Sequence, residues 1–252
     1  VGTLFIVATP IGNLSDISPR ALSTLREADL IACEDTRQTL KLLNHFQIQK
    51  PLTSYHDFNE GPKAVALAKK IESGLNVALV SDAGTPVISD PGYRLVRYCR
   101  EHGLNVVGIP GPSAAIAALA VSGLPSEEFF FAGFLPSKKS ARRDKLQSLS
   151  PLKCTLIFYE APHRISETLE EMHEIFGDRL ASVAREMTKL HEEHLFGKLS
   201  ELRSQVKELG EFVVIVEGAA GEAAKKPELT REEVLKTLGL TRNQLYDLFF
   251  KK

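Results

Sequence analysis

The chain has 252 residues, 43% of them hydrophobic and 25% charged, an ordinary globular composition with length for two modest domains or one large one. A formal net charge of −1 excludes the broad positive field of a general nucleic-acid binder, so any RNA contact has to come from local patches. Cys33, Cys99 and Cys154 are odd in number and form no CxxC pair, which reads as buried thiols in a reducing compartment.

Leu4 to Ala8 is too short an apolar run for a signal core or a membrane span, and points to a cytoplasmic protein. Together with Leu30 to Cys33, Val77 to Val80 and Val106 to Ile109 it predicts buried strands, with helical periods between them. Ser18-Pro19 supplies an N-cap and a first-turn proline for one helix, and Asp90-Pro91 reads the same way for another. Gly74 and Gly103 suit the left-handed position that follows a helix. Pro110-Gly111-Pro112 marks a join, beyond which Phe129 to Ala132, Thr155 to Tyr159, Ala181 to Ala184 and Phe212 to Val216 predict a second set of strands. The expected organisation is α/β, with domains at residues 1–112 and 113–218 and a linker with a small helical tail at 219–252. In that tail Thr230 and Glu233 have capping-box spacing, and Thr241 precedes a stretch carrying Leu245, Leu248 and Phe249 on one face.

Glycine- and proline-rich segments at residues 8–14, 81–86, 110–114 and 160–164 each follow a predicted strand. Ligands of α/β sheets sit beyond the carboxyl ends of the strands, so these loops are expected to share one cleft. Neither GxGxxG nor GxxxxGK[ST] occurs, which leaves dinucleotides and P-loop nucleotides without support. Backbone bared by glycine and flanked by Asp82 suits a ligand with hydrogen-bonding edges and a positive centre. S-adenosylmethionine has that character, although residue chemistry alone does not choose it.

The ordered segments VATPIGNL, ACEDTR, VSDAGTPVISDPG, PGPSAAIAAL, SGLP, FAGFLPSK, FYEAPHR, REMTKLHEE and GEFVVIVEG run from Gly2 to about Gly218. This set resembles the small-subunit ribosomal RNA 2′-O-methyltransferase I family of the tetrapyrrole methylase superfamily. The resemblance implies a two-domain tetrapyrrole-methylase-like fold, with S-adenosylmethionine in the cleft between the domains, and a homodimer. It also implies the substrate, the ribose of a decoding-region cytidine in 16S ribosomal RNA on the assembled small subunit. Carried onto this sequence, it implies donor contacts at Asp82, Ala83, Gly84, Ser113, Ala114, Phe158 and Tyr159, with Pro10 and Gly12 lining the cleft floor. Phe58, where a polar residue is expected, and Phe196, where arginine is common, speak against RNA contact by their two loops.

Methyl transfer from a sulfonium needs alignment first, and then a base or cation for the developing charge on a ribose hydroxyl. Glu34, Asp35, Glu160 and Lys189 are the catalytic candidates, with His163 beside them. Glu34-Asp35 reads equally as a helix N-cap, and His163 as a first-turn surface residue. His191 and His194 stand at i and i+3, unlike the pair in HExxH, so no metal is expected. The cluster Lys138, Lys139, Arg142, Arg143 and Lys145 is the expected phosphate-contacting patch, joined by Arg37 and Arg164, whereas Arg94, Arg97 and Arg100 read as a solvated helix face. Two rivals share these features: a methylase of a tetrapyrrole precursor, and a non-catalytic ribosome-associated binding protein. The intact SDAGTP and PGPSA segments argue against the latter.

Overall fold

A computed structural model describes residues 1–57 and 60–220. Val1–Gly218 forms one compact unit. Phe58 and the expected tail helices lie outside the described residues.

The first sheet contains β1 (Thr3–Val7), β2 (Leu30–Cys33), β3 (Leu52–Ser54), β4 (Val77–Val80) and β5 (Asn105–Ile109). All its pairings are parallel, in the order β3-β2-β4-β1-β5. Parallel strands need crossovers, supplied by α1 (Pro19–Glu27), α2 (Thr36–His45), α3 (Glu60–Glu72) and α4 (Tyr93–Glu101). Helices cover both faces, which explains why β2 and β4 are buried at every position. Leu30, Ala32, Val77 and Leu79 pack on Leu67, Ile71 and Leu95 of α3 and α4. The alternate residues Ile31, Cys33, Ala78 and Val80 pack on Leu25 and Leu43 of α1 and α2.

Local signals set the helix ends. Ser18 caps α1, its hydroxyl accepting from the Ala21 amide at 3.0 Å, with Pro19 opening the first turn. Gly74 and Gly103 follow α3 and α4 with φ of 107° and 69°. The expected start at Asp90-Pro91 is corrected: α4 begins at Tyr93 after Gly92, whose φ is 143°, and Asp90 belongs to the preceding loop.

The second sheet has the order β6-β7-β10-β8-β9. Its strands are β6 (Phe129–Phe134), β7 (Thr155–Glu160), β8 (Leu180–Arg185), β9 (Glu193–Lys198) and β10 (Phe212–Val216). Only β6 and β7 run parallel, with a register shift between Phe131 and Gly133. The helix α5 (Ala114–Val121) packs on one face through Ala115, Ala118 and Leu119 against Ile157, Val213 and Ile215. The other face meets α6 (Lys139–Leu149), α7 (Ile165–Phe176) and α8 (Leu199–Leu202) through Leu146, Leu169, Met172 and Leu202. Cys33 and Cys99 are buried and Cys154 half-buried, all as free thiols.

Candidate active site

The strand order of the first sheet sends the loops after β1, β4 and β5 to one edge, the carboxyl ends of its strands. They are zipped together there. Thr9 and Gly84 exchange backbone hydrogen bonds at 2.9 and 3.1 Å, and the Thr85 hydroxyl donates to the Pro112 carbonyl at 2.9 Å. Gly84 takes φ of 85°, and a Cβ there would stand 3.3 Å from Ile11 Cγ2, so glycine keeps this backbone bare.

A cavity of about 370 Å³ opens between these loops and the second sheet. Ile11, Asp82, Ala83 and Gly84 form its first-sheet side, with Ser113 and Ala114 at the start of α5 beside them. Tyr159 and Glu160 at the end of β7, Met187, and Phe212 and Val213 at the start of β10 form the other. Ser113 holds the N-cap position of α5 without capping the helix through its side chain, and the Ala115 amide donates to the Tyr159 hydroxyl at 3.3 Å. The Asn13 amide donates to Thr188 Oγ1 at 3.1 Å, joining the loop after β1 to the loop after β8. A Cβ on Gly12 would stand 2.5 Å from Lys189 Cγ, so only glycine allows that approach.

Asp82, Ala83, Gly84, Ser113, Ala114 and Tyr159, expected as donor contacts, stand together in this wall. Phe158 does not: its ring is fully buried in the opposite face of the second sheet, because neighbouring strand residues point opposite ways. Pro10 is buried, and Gly12 faces residues 188 and 189; neither belongs to the cavity wall.

The catalytic candidates divide. Glu160 lies in the wall, but its carboxylate is fully engaged, accepting from Arg164 at 2.6 Å, Thr168 at 2.8 Å and the Ala161 amide at 2.7 Å. The same ion pair occupies the guanidinium of Arg164, the expected phosphate contact. Asp35 caps α2, accepting from the Arg37 amide at 2.8 Å and pairing with the Arg37 guanidinium at 2.7 Å. These bonds to Arg37 hold its carboxyl down at about 2. Glu34 is raised by burial and by the charges of Asp82 and Asp57, and is not part of the cavity wall. Lys189 bridges Glu186 and Glu211 at 2.8 and 2.9 Å.

Asp90 is the wall residue that sequence reasoning assigned to a helix start. Burial, then the charges of Glu34, Asp82 and Asp57, push its carboxyl up to about 6. An Asp-Pro pair carries the same local signature in a cap and in a turn, so only the loop conformation distinguishes the two.

The basic patch is largely neutralised by α7. Arg142 is 1% exposed and binds Glu171 through two hydrogen bonds at 2.6 and 3.2 Å, with Glu167 at 2.8 Å. It is corrected from a phosphate contact to a buried ion pair between α6 and α7. Arg143 pairs with Glu174 and Lys139 with Glu167, while Lys138 is exposed. No group of three or more metal-ligating side chains occurs, and no helix is long and apolar enough to cross a membrane, among the described residues.

A parallel sheet covered by helices on both faces thus meets a mixed sheet across a loop-lined cavity. Residues 3–203 match the family of tetrapyrrole (corrin/porphyrin) methylases, and the chain belongs to that family. It is 55% identical to ribosomal RNA small subunit methyltransferase I of Xylella fastidiosa, over 89% of this chain and 85% of that protein. The enzyme of the same name from Escherichia coli O157:H7 is 49% identical over 97% and 86%. Among solved structures, diphthine synthase aligns with a TM-score of 0.65 at 16% identity, covering 86% of this chain and 90% of that one. Uroporphyrin-III-C-methyltransferase of Thermus thermophilus aligns at 0.61 and 16%, covering 96% and 100%. The methyl donor is S-adenosylmethionine. The wall fits it, with apolar Ile11, Ala114 and Met187, bare backbone at Gly84, and the Asp82 carboxylate to face a cation.

Proposed function

We propose that this chain transfers the methyl group of S-adenosylmethionine to the 2′-hydroxyl of a decoding-region cytidine in 16S ribosomal RNA, on the small ribosomal subunit in the cytoplasm. The donor supplies an already activated methyl on a positive sulfur. Asp82, Ala83, Gly84, Ser113, Ala114 and Tyr159 hold it, and residues 1–112 and 113–218 act as the two domains that meet at the cavity. The observation that carries this reading is a cavity of about 370 Å³ walled by carboxylates and bare backbone, in a chain 55% identical to a protein named for ribosomal RNA methylation. Asp82 and Asp90 in the wall also disfavour a tetrapyrrole precursor, which carries many carboxylates of its own.

Arg37, Lys138 and Lys139 are exposed and serve as the RNA contacts. The homodimer is formed through α5, whose sequence is apolar all round while Ile116 and Val121 are 51% and 60% exposed. A helix apolar on every side belongs in an interface, and a second copy covers it. Incubating labelled donor with small subunits, naked RNA and a tetrapyrrole precursor tests the function. Label is expected on small subunits, at a nucleotide resistant to alkaline cleavage; label only on the macrocycle overturns the reading.

A further inference from the structure

We infer that Asp90 is the general base of the transfer, the carboxylate that takes the proton from the acceptor hydroxyl at the cavity. The assignment rests on the ribose reading proposed above. Asp82 and Asp90 both line the cavity, but Asp82 Oδ1 accepts from the Asp35 amide at 3.1 Å and is tied to that loop. Glu160 and Lys189 are engaged in ion pairs, and Glu34 and Asp35 are not wall residues.

The loop that carries Asp90 is held in an uncommon shape. Val87 and Ser89 take φ of 77° and 65°, the former costly for a β-branched residue, and Gly92 takes 143°. A Cβ at Gly92 would stand 2.7 Å from Val87 Cγ2 and 2.9 Å from Leu79 Cδ2, so the turn closes directly onto β4. A Cβ at Gly133 would stand 3.1 Å from Ser89 Oγ, so the same loop also meets β6 across the cavity. Backbone strain of this kind persists where the surroundings over-determine it, and here it fixes a carboxylate in the cavity wall.

The groups facing Asp90 are the Ser81 hydroxyl, whose own hydrogen bonds go to the Ala83 and Gly84 carbonyls at 3.3 and 3.4 Å, Glu34 after β2, Asp57 after β3, Asp82 after β4 and Tyr159 on β7. Burial and the three carboxylates place Asp90 at about 6, ionised at neutral pH yet more basic than an ordinary carboxylate. In the step, the hydroxyl oxygen's electron pair forms the new O–CH₃ bond, and the pair of the breaking CH₃–S bond stays on sulfur. The proton passes to an Asp90 carboxylate oxygen and from there to water.

The test is single-turnover methylation of unmodified small subunits by the wild type, Asp90→Asn and Asp90→Glu, between about pH 5 and 9. The wild-type rate is expected to rise about tenfold per pH unit and level off near the carboxyl's own value. Asp90→Asn should lower the plateau roughly 100-fold or more and lose the acid limb, with part of the rate restored in Asp90→Glu. Calorimetry should find affinity for S-adenosylmethionine and for its demethylated product each within about threefold of wild type. An Asn variant within about fivefold of wild type, or one that keeps the acid limb, overturns the assignment. So does selective loss of affinity for the donor over the product, which would make Asp90 a cation holder. Mapping the wild-type product separates the two claims: a methyl on a base sinks the ribose reading whatever the variants do.

Discussion

Arg142 and Glu171 meet through two hydrogen bonds where neither residue is more than 2% exposed, between α6 and α7. Removing one partner of such a pair strands the other charge away from water, so Arg142→Ala should cost about 3–5 kcal/mol in urea unfolding. Replacing both by apolar residues of similar volume should come within about 1–2 kcal/mol of wild type, because the desolvation cost disappears with the charges. Asp90 shows the opposite logic, a half-buried carboxyl surrounded by its own kind. Its folded-state value of about 6 lies above the ordinary aspartate value, so across that interval the folded chain binds the proton that the unfolded chain has released. Stability from this group is therefore present below the ordinary value and is lost as pH rises to about 6. Asp90→Asn should remove that slope, gaining on wild type at pH 7 relative to acid; an unchanged difference across the interval would show that Asp90 is not held high.

Among the elements, those with strong burial were legible in the sequence. β2 and β4 are buried on both faces and read as unbroken apolar runs, and α1 carried its cap in Ser18-Pro19. β3 has three half-buried residues at the sheet edge, too few for a pattern to register. Ion pairing between helices was not legible either, since α6 displays its basic residues and the matching acids lie a full element later in α7. The cavity-forming loops were recognisable from glycine and proline, yet the pointing of Phe158 away from the cavity and of Asp90 toward it depends on strand parity and loop shape. Gly12 tests the contact between loops. In Gly12→Ala the new methyl collides with Lys189 and Thr188, disturbing the bond from Asn13 to Thr188. The variant should lose about 1–3 kcal/mol of stability by overpacking, and bind the donor more weakly in calorimetry. Unchanged donor affinity would show that this contact does not shape the cavity.

For the whole molecule, the net charge of −1 and the neutralised patch on α6 set how RNA is met. With Arg37, Lys138 and Lys139 as the proposed contacts, two of them already paired with Asp35 and Glu167, the slope of log affinity for small subunits against log salt should be about −3 or shallower. A much steeper slope would place many more phosphates in contact and require a basic surface elsewhere. Recognition then depends on the shape of the assembled particle more than on bulk polyanion attraction.

β4 sits inside its sheet between β2 and β1, buried at all four positions, and the loop bearing Asp82 and Asp90 springs directly from its end. Amide protons in such a strand leave only when the whole unit opens, whereas those of an exposed loop leave through small local excursions. The chemistry is thus mounted on the strand expected to open last, and the Thr9–Gly84 bonds and the turn at Gly92 tie its own loop to the same sheet. Substitutions in β4 should therefore be felt first in global unfolding, and substitutions of Asp82 and Asp90 first in turnover.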